Sequence, residues 1–308
     1  RDFNETCFVK HPFHTDLIET DLAAWLNNLE RKVNSNQYTP QQLIICEVPK
    51  QNGGIRPGSY LELEDGVVYT ALIGKCIKKI FKVTKDLQDV TEFSFKFSKD
   101  LDSDIWVRKG LASWSTFRTE SLGRLSTGKS YVLFTDITGF YENINISILI
   151  SDLNELGIDK SVTDLLSIML NKWNFKGVPQ GYTASGILTK LYMYKIDSQF
   201  RNMGFDHVRY VDDIRVFSPD FVSAKLSQME LIRLLRTRGL NLQTEKTKTL
   251  RANEAKVRLA GVQPIIEDIM AEFASEAVQS ELGAEYLGFF DFNPYEGGEK
   301  EPMRFDFD

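Results

Sequence analysis

Two stretches decide the fold: FTDITGFY at residues 134–141 and RYVDDIRVF at residues 209–217. The first is preceded by YVL, so residues 131–135 form an apolar run with no polar alternation, the pattern of a strand buried on both faces. That run ends in Asp136. The second stretch, extended to DHVRYVDDIRVFS, reads as alternating strand, Asp-Asp at a tight turn, alternating strand. A carboxylate at the end of an apolar strand is costly unless it is paired or binds a metal. Asp212 and Asp213 at a hairpin tip repel each other. Both problems vanish if the three aspartates face divalent cations. Mg²⁺ takes oxygen ligands from a few carboxylates and completes its shell with water and phosphate oxygens. Two such ions about 3.5–4 Å apart activate an attacking hydroxyl and stabilise the leaving oxygen of an in-line phosphoryl displacement. An Asp-Asp hairpin standing alone reads better as a solvated turn, because Asp is a favoured turn residue.

Helix, strand and turn signals surround this centre. DLAAWLNNLERK, residues 21–32, places Leu22, Trp25, Leu26 and Leu29 on one helical face. LIICEVPK, residues 43–50, has a buried-strand pattern and runs into the Gly/Pro-marked turn QNGGIRPG. A helix is expected over 67–83, weakened by Gly74, then a loop over 93–104 and an aromatic patch at Trp106 and Trp114. Helical periods follow at 146–156, 162–173 and 184–203, with GVPQG at 177–181 between the last two. A further helix at 222–238 is stopped by Gly239. The order of strand, helices, hairpin, helix and strand is an α+β plan, with helices on one face of a small antiparallel sheet.

The 308 residues suffice for a large core. No 18-residue apolar window and no leader-like start are present, so neither a transmembrane helix nor a signal peptide is expected. Three dispersed cysteines (Cys7, Cys46, Cys76) without CxxC fit neither a disulfide framework nor a zinc ribbon. Three histidines (His11, His14, His207) rule out a histidine-rich metal centre. A reduced, cytoplasmic, soluble protein is the expectation, and a start at Arg1 reads as part of a longer chain. The net charge of −6 is uneven. Residues 264–308 hold 12 acidic side chains against Lys300 and Arg304, whereas the rest carries 35 basic and 31 acidic. A modestly basic body with an acidic tail can still bind phosphates locally, since grooves rather than whole-chain charge set the potential. Charge alone decides nothing here.

In order, FTDITGFY, GVPQG, RYVDDIRVF, GLNLQTEKT (239–247) and RLAGV (258–262) resemble the consecutive palm motifs of reverse transcriptases. VPKQNGGIRPG (48–58) resembles their fingers motif. YxDD alone is weak; six blocks in the family's order are specific. The resemblance implies a right-hand polymerase of α+β class, with fingers over 1–128 and palm over 129–263. About 146–175 would be a helical insert contributing to the fingers, and 264–308 an acidic segment beginning a truncated, thumb-like region. It also implies that Asp136 and Asp212 hold two Mg²⁺ ions, with Mn²⁺ as substitute, and that Asp213 completes or supports the site. Lys50 and Arg56 would hold the triphosphate, Arg being suited to bidentate phosphate contact. Gly177, Pro179 and Gly181 would allow close backbone approach to a nucleotide, and Gln180 would touch the base or template. Lys246 resembles the palm lysine that protonates the leaving pyrophosphate, though it reads nearly as well as a solvated strand-end lysine, and RLAGV would form the hairpin that grips the primer end. Viral RNA-copying polymerases carry a second aspartate where Tyr141 stands; a ring there would clash with a ribose 2′-OH, so deoxynucleotides are expected. Phe140 reads as core. Phosphate attachment is expected through Lys50, Arg56, Arg209 and the helix carrying Arg233, Arg236 and Arg238, although these helix arginines read more readily as a solvated face.

RYVDDIRVF and WSTF (114–117) are most similar to bacterial abortive-infection and defence-associated reverse transcriptases. That implies antiphage defence, with RNA-templated, untemplated or protein-primed DNA synthesis. The partners implied are an RNA template or non-coding RNA, a DNA product, dNTPs, and a homo-oligomer or partner protein, without a membrane. FSFKFSKD (93–100) departs from the Gly-x-Arg of group II intron enzymes, TASGILTKLYM (183–193) lacks the usual Ser-Pro, and no retron-type VTG follows. A retron or group II intron-type enzyme, a silent RNA- or partner-binding scaffold and a palm-type nucleotide cyclase remain as alternatives.

Overall fold

A computed structural model of the protein describes residues 21–260, apart from 50–54, 104, 109 and 174–176. Helix α1 (Leu22–Asn34) is capped by Asp21, whose carboxylate accepts the Ala24 N–H at 3.2 Å. Trp25, Leu29 and Val33, spaced by four, pack on the core, while Leu22 and Leu26 are exposed. The buried face is thus a single ridge, narrower than the four-residue face expected. Strands β1 (Ile44–Pro49) and β2 (Ile55–Tyr60) form a two-stranded antiparallel ribbon, with Val48 opposite Arg56. Ile44, Ile45 and Ile55 are exposed, so β1 is not the buried strand its apolar run suggests. Among the described residues its sheet has no third strand to cover it.

Helix α2 (Leu63–Thr84) starts before the expected 67 and runs unbroken through Gly74. A Cβ at Gly74 would lie 3.0 Å from the Trp106 ring, so the glycine serves a close approach rather than a break. The segment at 93–100 is irregular, yet Phe93 and Phe97 are both buried. Helix α3 (Gly110–Leu125) carries WSTF. Then follow β3 (Tyr131–Thr135), α4 (Ile146–Glu155), α5 (Lys160–Lys172), α6 (Thr183–Asn202), β4 (Asp206–Tyr210), β5 (Asp213–Ser218), α7 (Phe221–Thr237), β6 (Lys248–Arg251) and α8 (Ala252–Ala260). Gly239 ends α7 at φ +78, the left-handed value that glycine adopts without a Cβ penalty. No described helix is long and apolar enough to cross a membrane.

The second sheet is antiparallel in the order β4-β5-β3-β6. Its side chains divide by alternation. Leu133, Ile214 and Val216 join one core with the helical layer that includes Leu188, Leu191 and Leu231. Val132, Phe134, Val208 and Phe217 join another with Phe117 of α3 and Ala255 and Leu259 of α8. Helices therefore cover both faces, where the sequence pattern suggested one. This is what an all-apolar β3 requires, since neither of its faces tolerates water.

Charged groups inside these cores are paired, as desolvation demands. Arg209 is buried with Asp197 at 2.7 Å, and His207 approaches the same carboxylate at 3.2 Å. Burial alone would raise the Asp197 carboxyl, but the Arg209 charge and then His207 hold it below its ordinary value. Lys190 pairs with Glu92 at 2.5 Å, both buried. Arg238 pairs with Asp152 and is buried as well. Arg209 is therefore in a core ion pair and not the phosphate contact expected of it, and Arg238 is in one too, on neither a phosphate track nor a solvated face. On α7 only Arg233 and Arg236 of the three expected arginines reach solvent.

Candidate active site

The β4–β5 register pairs Tyr210 with Asp213, so the two-residue turn is Val211-Asp212 and Asp213 already belongs to β5. The pair Asp212-Asp213 is thus split between turn and strand. Val211 has φ +54, a left-handed conformation that a β-branched residue adopts at a cost of about 1–3 kcal/mol. Two contacts hold it there. Its side chain is buried in the larger core, and its carbonyl accepts the Arg209 Nη1–H at 2.9 Å. The Asp197–Arg209 pair thereby fixes the shape of the turn that carries Asp212. Burial works against the Arg209 charge, but Asp197, Glu92 and then Asp212 raise its pKa.

β3 lies antiparallel to β5 with Thr135 opposite Ile214, so one step further Asp136 comes opposite Asp213. The Ile137 N–H donates to the Asp212 carbonyl at 3.2 Å, which ties the end of β3 to the hairpin turn. On the other side, the Gln243 N–H donates to the Asp136 carbonyl at 2.7 Å and the Thr138 N–H to the Asn241 carbonyl at 2.9 Å. That segment leads into the short 3₁₀ turn Thr244–Lys246. From it Lys246 places its Nζ 2.8 Å from Asp136 Oδ2. Lys246 is therefore a partner of Asp136.

The three carboxylates are hard oxygen donors of the kind Mg²⁺ takes. Among the described residues, no three acidic, imidazole or thiol groups form a ready metal cage. Asp136 is turned to Lys246, and Asp213 to Arg215 at 3.2 Å. Burial raises the Asp213 carboxyl above its ordinary value, the Arg215 charge opposes that rise, and the Asp136 charge adds to it. Crowded negative charge of this kind is what a divalent cation relieves, so donor chemistry and mutual repulsion fit the group.

Beside the aspartates, Tyr141 follows Phe140, with ring centroids 5.5 Å apart and edge-to-face. Phe140 is in the core as expected, and Tyr141 is half-buried. The Tyr141 carbonyl accepts the Val178 N–H at 3.0 Å. Gly177, at φ +85, lies so close that a Cβ would overlap the Tyr141 carbonyl oxygen and come within 2.8 Å of the Glu142 backbone. The other end of GVPQG is stitched to β2. The Ser59 N–H donates to the Gln180 carbonyl at 3.2 Å, the Gln180 N–H to Ser59 Oγ at 3.0 Å, and the Leu61 N–H to the Tyr182 hydroxyl at 2.8 Å. Gly181 has φ +104, a region closed to most side chains. GVPQG thus bridges the β1–β2 ribbon and the loop carrying Tyr141. Arg56 stands in β2 on that ribbon. Lys50 lies outside the described residues, as do Gly261 and Val262 of RLAGV; the rest of that motif, through Ala260, ends helix α8 rather than a hairpin.

An aspartate-bearing sheet end, a strained hairpin and a glycine loop tied to a two-stranded ribbon now stand together. The profile of the family described as "Reverse transcriptase (RNA-dependent DNA polymerase)" matches residues 48–290. The chain belongs to the reverse transcriptase family. Reverse transcriptases are nucleotidyltransferases that contain the α+β, fingers-and-palm arrangement expected from the motif order, and the match covers every described element from β2 to α8. Similar solved structures include apo telomerase from Candida tropicalis (TM-score 0.46, 14% identity, 74% of this chain and 50% of that one). Telomerase from Candida albicans in complex with the TWJ fragment of telomeric RNA is another (TM-score 0.45, 14% identity, 73% and 46%). The chain spans about half the length of these telomerases. No curated protein sequence matches it.

Two features escaped the sequence reading. Arg215 is fully buried beside Asp213, although its only sequence signal is a cation inside an otherwise apolar strand. Lys75, Lys78, Lys79, Lys82 and Lys85 all reach solvent on α2 and its C-cap. At 100° per residue they share one face of about 120°, opposite the buried Cys76, Ile77 and Ile80. The 3–4 spacing of these lysines was the available signal.

Proposed function

We propose that this chain is a reverse-transcriptase-type DNA polymerase that adds dNTPs to a primer hydroxyl, copying RNA or extending without an external template. The observation that supports it best is the hydrogen bond from Ile137 N–H to the Asp212 carbonyl, which ties the strand end carrying Asp136 to the turn carrying Asp212, with Lys246 on Asp136. Asp136, Asp212 and Asp213 would hold two Mg²⁺ ions, with Mn²⁺ as substitute, supplying an activated hydroxyl and a neutralised leaving group. Lys246 holds a proton near Asp136 for the departing pyrophosphate. Lys50 and Arg56 hold the triphosphate, and Gln180 and Gly181 meet the base or template. Fingers over 1–128, palm over 129–263 with the helical insert at 146–175, and the acidic segment 264–308 are part of this reading. So is membership of the bacterial antiphage, abortive-infection group, supported by RYVDDIRVF and by WSTF, which α3 carries against the hairpin strands. The test is labelled dNTP incorporation with Mg²⁺ or Mn²⁺, with and without an RNA template and DNA primer. No incorporation under any condition overturns it.

Tyr141 excludes ribonucleotides by the bulk of its ring. Tyr141→Val is expected to raise ribonucleotide relative to deoxynucleotide incorporation at least tenfold, the scale of one steric group in a pocket, about 1–3 kcal/mol. Competition between labelled UTP and dTTP measures it; an unchanged ratio removes Tyr141 from this role.

With Arg209 and Arg238 buried, phosphate attachment moves to the lysine row of α2. Each phosphate neutralised on a single strand contributes about −0.7 to the slope of log affinity against log salt. Lys75→Glu together with Lys82→Glu should flatten that slope by about 1.4 for a short RNA followed by fluorescence anisotropy. Both side chains are exposed, so the fold should be undisturbed. A slope equal to wild type would place the RNA elsewhere.

A further inference from the structure

Arg215 is among the largest fully buried side chains of the described protein. The β-ladders set it between Val208 of β4 and Phe134 of β3, on the sheet face covered by α3. Its guanidinium carbon lies 3.9 Å from the Phe117 ring centroid, 5.6 Å from that of Trp114 and 5.9 Å from that of Phe134. Nη1 donates to Ser121 Oγ at 2.9 Å, and Nη2 to Asp213 Oδ2 at 3.2 Å. Ser121 spends its own proton on the Phe117 carbonyl at 2.7 Å, so its lone pair faces the guanidinium. The same aromatic surface seats the other residue of the hairpin's closing pair. Tyr210 packs edge-on to Trp114 at 5.0 Å and lies 5.7 Å from Phe117.

Removing a guanidinium from water costs several kcal/mol, and aromatic faces and a carboxylate offset this only when the geometry is good. An apolar residue would fill the same space without that cost. What the cation adds is direction at Asp213. We propose that Arg215, held by Trp114, Phe117 and Ser121 of α3, is a positioning residue for the metal site: it claims Asp213 Oδ2 and leaves Oδ1 as the oxygen offered toward Asp136. WSTF then acts on the chemistry through the hairpin. The inference rests on the reading of Asp136, Asp212 and Asp213 as that site.

The test measures Mn²⁺ dissociation constants by electron paramagnetic resonance, with thermal melting in the absence of metal, for wild type, Arg215→Met, Asp213→Asn and the double variant. Asp136→Ala with Asp212→Ala serves as control. Arg215→Met is expected to melt cooperatively and to bind Mn²⁺ at least tenfold more weakly. In the Asp213→Asn background the same change should cost less than twofold, because its partner is gone. Arg215→Lys, which lacks the fork that bridges Ser121 and Asp213, should recover only part of the affinity. If Arg215→Met loses its cooperative melt, Ser121→Ala is read in its place, with a weakening of at least threefold expected. Wild-type affinity in the variant read, or a full additive loss beside Asp213→Asn, overturns the inference. Wild-type affinity in the Asp136→Ala, Asp212→Ala control would instead overturn the metal-site reading.

Discussion

Asp212→Ala protein should incorporate labelled dNTPs at less than about a thousandth of the wild-type rate while melting within a few degrees of it. A thousandfold is about 4 kcal/mol of transition-state stabilisation. That is a reasonable contribution for a carboxylate asked to hold the ions that neutralise a developing phosphoryl charge. The fold should survive for a local reason. The Asp212 carbonyl that accepts from Ile137 N–H and ties the turn to β3 is retained in alanine. The turn is shaped by Val211 and the buried Arg209–Asp197 pair, and although the substitution removes one of the charges facing Arg209, it leaves the Asp197 partner and the bond to the Val211 carbonyl in place. If the antiphage reading is right, bacteria expressing the variant should lose protection in phage plating assays in parallel with incorporation. Protection retained by an inactive variant would favour a silent scaffold. Product that needs no added template in wild type, and is absent in Asp212→Ala, would turn attention to whether the DNA is joined to protein.

The legible part of this site was its backbone frame. An apolar run ending in Asp136 and two alternating strands around Asp212 were readable because strand patterning reports burial directly. The boundaries of α4 to α7 fell close to their apolar periods for the same reason. Charged residues within strands were a different matter. Arg209 and Arg215 lie three residues either side of Asp212, and nothing local separates a phosphate-binding arginine from a core one. What decides is the partner: Asp197 comes from α6 and Phe117 from α3, at sequence separations that periodicity cannot encode. The exposed isoleucines of β1 show the converse. An apolar run predicts burial only when a second layer exists to cover it, and that layer belongs to the rest of the fold.

Gly177→Ala should be among the most damaging single-methyl additions in the protein, and Gly128→Ala shows why. Both glycines have nearly the same backbone, φ +85 and φ +82. A non-glycine residue pays about 1–2 kcal/mol in that region whatever surrounds it. At Gly128 a Cβ would meet nothing within 4 Å, so that conformational cost is the whole expected effect. At Gly177 the same methyl would overlap the Tyr141 carbonyl oxygen and press on the Glu142 backbone, which cannot swing aside as a long side chain can. Either GVPQG lifts off Tyr141, breaking the Val178 N–H bond to its carbonyl, or the loop carrying Tyr141 shifts with it. Both routes disturb the wall on which the nucleotide is expected to rest, and the first also strains the ties between Gln180 and Ser59 of β2. Gly177→Ala is therefore expected to lose about 3 kcal/mol or more on unfolding in urea, the scale of overpacking added to a left-handed penalty. Gly128→Ala should lose only about 1–2 kcal/mol. In the surviving Gly177→Ala protein, the KM for dNTP should rise at least tenfold, while in Gly128→Ala it should match wild type. Equal behaviour of the two variants would mean that GVPQG does not lean on Tyr141, and the nucleotide wall drawn from that contact would have to be abandoned.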